Sequence, residues 1–481
     1  MIRLARRLLT SGAPTPFRIG INGAGPAGLC VAGILSHSKQ PDGSPTFLID
    51  VFERDERERD QGAGWDISSD AKKTFERAGL DWRTICREGS ATWRIYRVGE
   101  HEQPIAMVSL PEVVKRLTGT GQPESNRHAM REGLLAAMGA GTTVHFDKAI
   151  VGLERGEGAT ATLLAEGGSR HGPFDLVVDA SGVASPLRKL CVDEEGTAQH
   201  YNGLTMVNGI VGDPEGELDP QLVRMLGEGT VEFVGDRPDG APDGPGGFDV
   251  ILQRYGNEPS DRRAKMQSWF MRERRGQLGE ELALGRVPFS KISRHEHPEA
   301  HARVLQLVKD HMGDRWPRMY HELVDALEPV QVWDLHQFPS DAALRGDRTL
   351  PLVLVGDALH AMSPTSGSGG NLACKDADDL ATYILETRPK GSAALVDGLV
   401  PLMQGLLTRM EPNQRKGEWN ADRFRNVLRN TRPVLEYYNR WTPFEGAERV
   451  FGSLAWLILR PMQWVHQLEG FGLPPRQNTE S

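Results

Sequence analysis

An acidic residue directly follows a short apolar run near residue 352, where the chain reads LVLVGDALHAMSPTSGSGGNLA. The apolar run, 352–355, is typical of a strand that is covered on both faces of a parallel sheet. Asp357 then stands at the carboxyl end of that strand, where the ligands of such sheets bind. Either this is an ordinary strand-to-helix turn, or the Asp357 carboxylate accepts hydrogen bonds from sugar-type hydroxyls beside a glycine-rich loop that admits a bulky ligand.

A glycine fingerprint stands near the start of the chain, in INGAGPAGLC. Gly23, Gly25 and Gly28 are in G-x-G-x-x-G register between a predicted strand, Phe17–Asn22, and a predicted helix, Pro26–Ser36, which is the context that gives this motif weight. The first glycine permits a tight turn, the second lets the backbone approach a pyrophosphate, and the third allows close helix–strand packing. The motif predicts a dinucleotide whose phosphates lie at the positive end of the helix.

A second carboxylate follows the next predicted strand, Phe47–Phe52. Glu53 is placed there to accept hydrogen bonds from both hydroxyls of an adenosine ribose. It lies 25 residues after Gly28, and the Pro/Gly turn at 41–45 explains why this exceeds the usual spacing. Asp50 is a weaker alternative, because it lies inside the strand.

The rest of the sequence predicts two kinds of architecture. The opening strand, helix and strand form a β-α-β unit, which we expect to be parallel and right-handed. Further predicted elements of this part are helices at 71–78 and 126–138 and strands at 143–146, 149–153, 159–165 and 174–180. From about residue 196 to 345, charged helical stretches alternate with strand-like pieces at 205–211, 231–234 and 248–253.

The predicted fold class is therefore α/β, with a Rossmann-like nucleotide-binding domain on a parallel sheet. A smaller α+β substrate domain with an antiparallel sheet and a C-terminal helical region complete the chain. The predicted boundaries are a leader at 1–16, the first part of the nucleotide-binding domain at 17–195, the substrate domain at 196–345, the return segment at 346–400 and the helical region at 401–481.

These motifs, in this order, resemble those of the FAD-dependent aromatic hydroxylases of the para-hydroxybenzoate hydroxylase type. The shared pattern comprises the glycine fingerprint, a Glu-Arg pair, a helix-borne Arg with Leu three residues later, and Gly-Asp-Ala-x-His followed by Pro-x-x-Gly-x-Gly-x-Asn. The resemblance covers about 17–195 and 345–385. The cofactor-binding residues predicted from the motifs and the resemblance are Gly23, Gly25, Ala27, Gly28, Glu53, Arg54, Arg131, Asp357, Pro364, Gly367, Gly369, Gly370 and Asn371.

The resemblance also implies roles for these residues. Arg131 contacts the pyrophosphate region of FAD, Asp357 holds the ribityl chain, and a helix that begins near Gly370 points its N-terminus at the N1/C2 edge of the flavin. His360 is expected to be a structural hydrogen-bonding residue. The family's Ala-Asp-Gly turn has Ser181 in place of Asp, so that turn loses its charge.

The implied reaction is a monooxygenation. The resembled enzymes reduce FAD with NADPH or NADH, form a C4a-hydroperoxyflavin with O2, and hydroxylate or epoxidise a small substrate, here expected to be aromatic or polyketide-like. The cofactor carries the chemistry, so no side-chain catalytic residue is predicted. The alternatives are a flavin-dependent reductase of a lipid-like substrate and a non-catalytic FAD-binding protein. The candidates for a substrate pocket between the second sheet and the flavin are Trp65, Phe248, Trp333 and Phe338.

A weaker similarity links the chain to the tetracycline-inactivating monooxygenases. Those relatives tolerate a neutral residue at the position of Ser181, and they have a Gly-Gly-x-Leu-Asp-Leu stretch after the second strand. The segment 62–67, GAGWDI, is similar to that stretch. This finer similarity does not identify a substrate.

Composition limits the partners. The formal net charge of −9 over 481 residues does not indicate a nucleic-acid surface. The four cysteines are far apart, which gives no metal-type spacing and suits a reducing compartment. The expected location is intracellular, either cytoplasmic or, if the Arg-rich start is a transit peptide, organellar. The apolar stretch at 450–468 is interrupted by Arg460-Pro461, so core packing is favoured over contact with a membrane surface. The sequence leaves the oligomeric state open.

Overall fold

The computed structural model describes residues 16–58, 65, 67–87, 92–99, 106–109, 124–125, 127–227, 230–236, 247–254, 263–271, 282, 292–339, 343–344 and 350–429. The leader up to residue 15, most of the 62–67 stretch and the apolar segment at 450–468 lie outside these ranges. Among the helices in these ranges, none combines the length and the apolarity that a membrane crossing requires.

The strands of this part of the chain, numbered in order, are β1 (Phe17–Asn22), β2 (Phe47–Phe52), β3 (Cys86–Arg87), β4 (Thr92–Arg97), β5 (Ala106–Ser109), β6 (Glu124–Ser125), β7 (Thr142–His145), β8 (Ile150–Arg155), β9 (Ala161–Ala165), β10 (Arg170–Phe174), β11 (Leu176–Asp179), β12 (His200–Val211), β13 (Thr230–Asp236), β14 (Gly247–Arg254), β15 (Ala264–Met271), β16 (Val330–Gln337) and β17 (Leu352–Leu354).

The α-helices of the same ranges are α1 (Pro26–Ser36), α2 (Ser69–Arg77), α3 (Arg127–Ala137), α4 (Glu194–Thr197), α5 (Pro214–Glu217), α6 (Pro220–Leu226), α7 (Pro298–Met312), α8 (Arg318–Asp325), α9 (Asp357–His360), α10 (Gly369–Thr387), α11 (Ser392–Asp397) and α12 (Leu399–Arg429). Short 3-10 turns occur at Trp82–Thr84, Glu166–Gly168, Arg188–Leu190, Pro364–Ser366 and Arg388–Lys390.

A five-stranded parallel sheet forms the first layer, in the order β17-β11-β1-β2-β7. The predicted bounds of β1, α1 and β2 are confirmed to the residue. Every residue of β11 and β17 is buried, as expected for strands that are covered on both faces. Helices α1, α2 and α10 pack on one another beside this sheet. The predicted antiparallel pair at 149–165 is also present, with β10 as a third strand.

A seven-stranded sheet forms the second layer, in the order β16-β12-β15-β14-β13-β4-β5. Its pairs are antiparallel except for β13 with β4. One face packs against α6, α7 and α8 in a separate hydrophobic core that includes Val207, Phe233, Val250 and Tyr320. Strands β4 and β5 also belong to this sheet, although they lie within the range 17–195 that was predicted for the first domain. The sequence analysis predicted no strand at either of these two positions. The architecture confirms the predicted mixed α/β fold with a parallel sheet, antiparallel sheets and C-terminal helices. The boundaries at 195/196 and 345/346 stay a prediction.

The start of α1 depends on a glycine. A Cβ atom on Gly28 would lie 2.0 Å from the Gly23 carbonyl oxygen, far inside contact distance. Gly405, in the exposed part of α12, has open space in the same direction. These two helical glycines therefore separate the effect of close packing from the general effect of glycine on helix stability.

We predict that Gly28→Ala lowers the free energy of unfolding by about 2 kcal/mol, because backbone cannot move away as a flexible side chain would. Gly405→Ala should raise it by up to about 1 kcal/mol, since alanine is the better helix former. Urea denaturation of both variants and the parent chain measures this. A stable Gly28→Ala variant would contradict the packing described here.

Candidate cofactor and active site

The carboxyl ends of four parallel strands lie side by side at one edge of the first sheet. In spatial order they lead into Asp357 after β17, Ala180 after β11, Gly23 after β1 and Glu53 after β2. With strands about 4.8 Å apart, the two outer carboxylates are separated by about 14 Å along the edge. The sequence motifs, which are hundreds of residues apart in the chain, thus converge on one edge.

The glycine-rich turn lies in the middle of this edge. Gly23 has a φ of +105°, and its N–H donates to the Phe52 carbonyl over 2.7 Å. A Cβ atom there would lie 2.5 Å from the Ala180 oxygen, so only glycine lets β1 and β11 approach so closely. Ala27, the next predicted cofactor residue of the motif, is buried in α1. The sequence argument for a tight turn at Gly23 is confirmed by this geometry.

Glu53 faces the same turn. Its Oε2 accepts from the Ala24 N–H over 2.8 Å and its Oε1 accepts from the Asp55 N–H over 3.1 Å. Asp50, the alternative carboxylate, instead accepts from His145 over 2.8 Å and lies 3.8 Å from the Arg18 guanidinium. Glu53 is therefore the carboxylate at the edge.

The two arginines predicted near the cofactor differ in environment. Arg54 is exposed, with its Nε 3.7 Å from an Asp55 oxygen. Arg131 is buried, its Nη2 donates to the Glu56 carbonyl over 3.4 Å, and its guanidinium lies 5.1 Å from the centre of the Phe146 ring. Arg131 is therefore a buried cation, whereas Arg54 lies at the surface.

Asp357 is exposed although its neighbours Gly356 and Ala358 are buried. A Cβ atom on Gly369 would lie 4.0 Å from its Oδ1, so the carboxylate faces the first turn of α10. Although solvent reaches the side chain, the protein packed around it raises the pKa of Asp357 by desolvation, and the charges of His360 and Arg127 partly offset this. A carboxylate with this environment gains from a ligand that donates hydrogen bonds to it.

The loop before α10 contains a short 3-10 turn. Pro364 opens a 3-10 turn that ends at Gly367, which has a φ of +64°. Gly370 lies under the Trp65 ring, so close that a Cβ atom would be 2.8 Å from it. The Asn371 Oδ1 accepts from the Ser68 N–H over 2.9 Å and from Trp65 Nε1 over 3.3 Å. The Asn371 side chain therefore joins Trp65 and Ser68 to the helix start, a contact that the sequence did not indicate.

Two helices begin at this edge without a side-chain cap. In the described chain, neither Gly25, before α1, nor Ser368, before α10, caps its helix with a side chain. A Cβ atom on Gly25 or Gly367 would meet no atom within 4 Å, so space is open beside both helix starts. Uncapped N–H groups at a helix start bind anionic or electron-rich groups. The donor set fits FAD, with phosphates at α1 and an electron-rich ring edge at α10.

Asp179, two residues before Ser181, brings a carboxyl group to the turn in which Ser181 replaces the Asp of the resembled family. Asp179 is fully buried, and its Oδ1 accepts from Ser181 Oγ over 2.6 Å and from Asn22 Nδ2 over 3.0 Å. Ser185 Oγ donates to its other oxygen. Burial raises the pKa of Asp179, and these hydrogen bonds partly offset the rise. Asp179 thus ties the ends of β1 and β11 together, a role that the sequence motif, which points only to position 181, does not predict.

Arg188 is a second residue of this region that the sequence motifs do not predict. It is buried and donates to the Gly196 carbonyl over 2.8 Å, to the Ala358 carbonyl over 2.8 Å and to the Leu359 carbonyl. Its guanidinium lies 3.6 Å from the centre of the Phe338 ring. Burial lowers the pKa of Arg188 to about 10. Arg188 clamps the segment after β11 onto α9, next to Asp357.

A buried ion pair holds the turn at Gly356, directly before Asp357. Asp376, on α10, accepts from His360 Nε2 over 2.6 Å, from the Gly356 N–H over 2.9 Å and from Arg409 Nη2 over 2.5 Å. Burial alone would lower the pKa of His360, but the Asp376 carboxylate outweighs it and the pKa is raised. Burial would raise the pKa of Asp376, but His360 and Arg409 outweigh it and the pKa is lowered. His360 has the structural hydrogen bond that was expected of it.

The four aromatic residues suggested for a substrate pocket lie in different places. Phe248 is buried on the helix-covered face of the second sheet, 5.4 Å from the Trp316 ring, so its assignment to the pocket is wrong. Phe338 lies beneath the Arg188 guanidinium. Trp65 covers Gly370, and Trp333 lies on the other face of the second sheet. Trp65 and Trp333 remain candidates for contact with a substrate.

Comparison with known proteins finds an FAD-binding domain in the chain. A family model described as "FAD binding domain" matches residues 286–398, a range that contains Asp357 and the start of α10. A curated relative, monooxygenase penA of Penicillium thymicola, is 26% identical over 76% of this chain and 84% of its own. The chain therefore carries an FAD-binding domain.

Solved structures share the fold across most of the chain. HpxO of Klebsiella pneumoniae, crystallised with FAD and uric acid, aligns with a TM-score of 0.63 at 19% identity and covers 91% of this chain and 95% of its own. Tetracycline destructase Tet(51) aligns with a TM-score of 0.56 at 15% identity over 89% of this chain and 96% of its own. The predicted fold class is thereby confirmed.

We predict that Asp376→Asn lowers the free energy of unfolding by about 3 kcal/mol at pH 6, because it leaves a buried cation without its partner. The raised pKa of His360 means that its share of this stabilisation is complete below about pH 6.5 and is lost as pH rises through the folded value. The difference between parent and variant should therefore shrink at pH 9. Denaturant titrations at both pH values measure it.

The matched control for this variant is Glu386→Gln, which neutralises an exposed carboxylate on the same helix. It should change the free energy of unfolding by no more than about 0.5 kcal/mol at either pH. A loss in Asp376→Asn that stays constant or grows towards pH 9 would contradict a charged His360–Asp376 pair.

Proposed function

We propose that this chain, which carries an FAD-binding domain and has the fold of the FAD-dependent aromatic hydroxylase type of monooxygenase, uses NAD(P)H and O2 to add one oxygen atom to a small organic substrate. The observation that carries the proposal is the order of strand ends at one sheet edge: Glu53, the glycine turn, Ala180 and Asp357. This order matches the order of parts along a single FAD, from the adenosine ribose through the phosphates to the ribityl chain.

Each part of FAD has a proposed partner. Glu53 accepts from the adenosine ribose hydroxyls, α1 receives the phosphates at Gly25, and the buried Arg131 supplies a positive charge close to them. Asp357 accepts from the ribityl hydroxyls. Arg54, Pro364, Gly367, Gly369, Gly370 and Asn371 remain predicted cofactor residues, although the Asn371 oxygen already bonds to Ser68 and Trp65.

The protein groups around the flavin position it and hold charge. FAD, when bound, supplies the electron transfer from NAD(P)H and the activation of O2. The N–H groups at the start of α10 stabilise negative charge on the adjacent ring edge, because they form the positive end of a 19-residue helix. The Trp65 ring packs against Gly370 and keeps water from the side of the α10 start that it covers. No described side chain is assigned a nucleophilic or acid–base role.

The substrate is proposed as aromatic or polyketide-like. What supports this is the likeness to HpxO, which was crystallised with uric acid, and to tetracycline destructase Tet(51). NAD(P)H is proposed to bind transiently across the cleft between the two sheets. The organellar alternative for localisation rests on the Arg-rich start alone.

We predict that the purified protein is yellow, oxidises NADPH or NADH, and incorporates one atom of ¹⁸O from ¹⁸O2 into an aromatic or polyketide product, as judged by mass spectrometry. A reductase would oxidise the nicotinamide with a substrate yet leave the product unlabelled. A non-catalytic FAD-binding protein would be yellow and would oxidise neither nicotinamide with any compound of the panel. Either result would overturn the proposed reaction.

We further predict that Asp357→Ala binds FAD at least tenfold more weakly, because hydrogen bonds to a charged acceptor contribute about 1.5–3 kcal/mol. Asp397→Ala, which removes an exposed carboxylate at the end of α11, is the control and should bind FAD as the parent does. Fluorescence titration of the apoprotein with FAD measures both. Full flavin retention by Asp357→Ala would remove this residue from the site.

A further inference from the structure

One face of the second sheet is not packed by α6, α7 or α8; of the described helices, α12 also contacts β12, β14 and β15. Residues on its helix-covered face, such as Val207, Val250 and Met266, belong to the core shared with α7 and α8. Their neighbours in sequence point to the opposite face, because side chains alternate along a strand. There, Leu204, Met206 and Leu335 form a separate small cluster with Ile251 and Trp333. We call this face, defined by these residues, the apolar shelf.

The apolar shelf is next to the proposed flavin loop. Asn202, near the start of β12, donates from Nδ2 to Ser363 Oγ over 2.8 Å, and Ser363 directly precedes the 364–368 loop that leads into α10. Met206 is four residues further along β12 and Asn208 six, which is at most about 13 and 20 Å at about 3.3 Å per residue. A substrate that reaches from the flavin across the shelf therefore spans more than one ring.

A row of carboxamides borders the shelf on the side away from the loop. Asn208 on β12 is directly opposite Gln267 on β15 and Gln331 on β16, so three amide side chains stand side by side on three adjacent strands. Asn208 is 94% buried, since only 6% of it is exposed, and its Oδ1 has no hydrogen-bond partner among the described residues. A buried acceptor without a partner costs about 1–3 kcal/mol, which a ligand donor would recover.

The charged residues on this face are already engaged. Glu232, Asp249, Lys265 and Arg97 share the face by strand register, and each has an interaction of its own within the protein. The two acids and two bases also balance in charge. An anionic substrate would thus find no cation on these strands that is available to it, whereas an N–H donor finds the Asn208 oxygen.

We infer that the apolar shelf and the carboxamide row select a neutral, fused or linked aromatic substrate that carries an amide or lactam group. The aromatic part would lie on Met206 and Trp333, and the amide N–H would donate to Asn208 Oδ1. This inference rests on the proposed function, because it takes the shelf to be the substrate side of the flavin. Asn208 is assigned as a specificity-determining residue that contacts substrate.

The test uses the FAD-loaded full chain and three aromatic probes of matched size: 2-quinolone, which is a neutral lactam, naphthalene, which has no polar group, and 2-naphthoate, which is an anion. Each probe is titrated while the flavin absorption spectrum reports binding. The parent chain should bind 2-quinolone at least tenfold more tightly than either other probe. Asn208→Leu should abolish this preference by weakening 2-quinolone about tenfold or more while naphthalene binds as before.

The matched control is Gln306→Leu, which removes an exposed carboxamide from α7 on the opposite side of the sheet and should leave all three affinities unchanged. The inference is overturned if 2-naphthoate binds most tightly, if 2-quinolone causes no spectral change in the parent, or if Asn208→Leu weakens 2-quinolone and naphthalene equally. FAD content and NADPH oxidation without any probe are measured on the same samples. If those two fail, the proposed function fails; if they hold and the preference is absent, only the substrate class is wrong.

Discussion

Parallel pairing of four strands is the constraint on which this site depends. Strands β2, β1, β11 and β17 come from the first, second and last parts of the described chain, and each ends in a turn that bears part of the candidate site. A parallel sheet sends all carboxyl ends to one edge, so the pairing itself assembles Glu53, the glycine turn and Asp357. Without β17 beside β11, the Asp357 carboxylate would have no fixed relation to the glycine turn.

Buried polar groups hold these four strand ends in place. Asp179 joins β1 to β11, Arg188 joins the segment after β11 to α9, and Asp376 joins the turn at Gly356 to α10 and α12. Each of these side chains has its hydrogen bonds within the protein, which is the condition under which buried charge specifies one arrangement. The groups open to a ligand, Asp357 and the starts of α1 and α10, lie on top of this framework.

Local sequence signals were sufficient to predict the part of the site that lies between Phe17 and Glu53. The run from Phe17 to Glu53 combines two apolar strands, a glycine turn, a helix and a following acid within one short segment, and its strands and helix have the predicted bounds. The sequence could not show what depends on distant partners. Loss of charge at Ser181 was visible, but its hydrogen bond to Asp179 depends on the turn geometry. Likewise, β4 and β5 join the second sheet through pairing with β13, which lies more than a hundred residues later.

The central claim, that these strand ends hold one FAD, is tested most directly by a crystal structure of the protein with FAD. The account predicts electron density for one FAD per chain, with the adenosine ribose within hydrogen-bond distance of Glu53, the phosphates at the start of α1 and the isoalloxazine ring beside the start of α10. Density for FAD elsewhere, or with its adenosine end at Asp357, would contradict it.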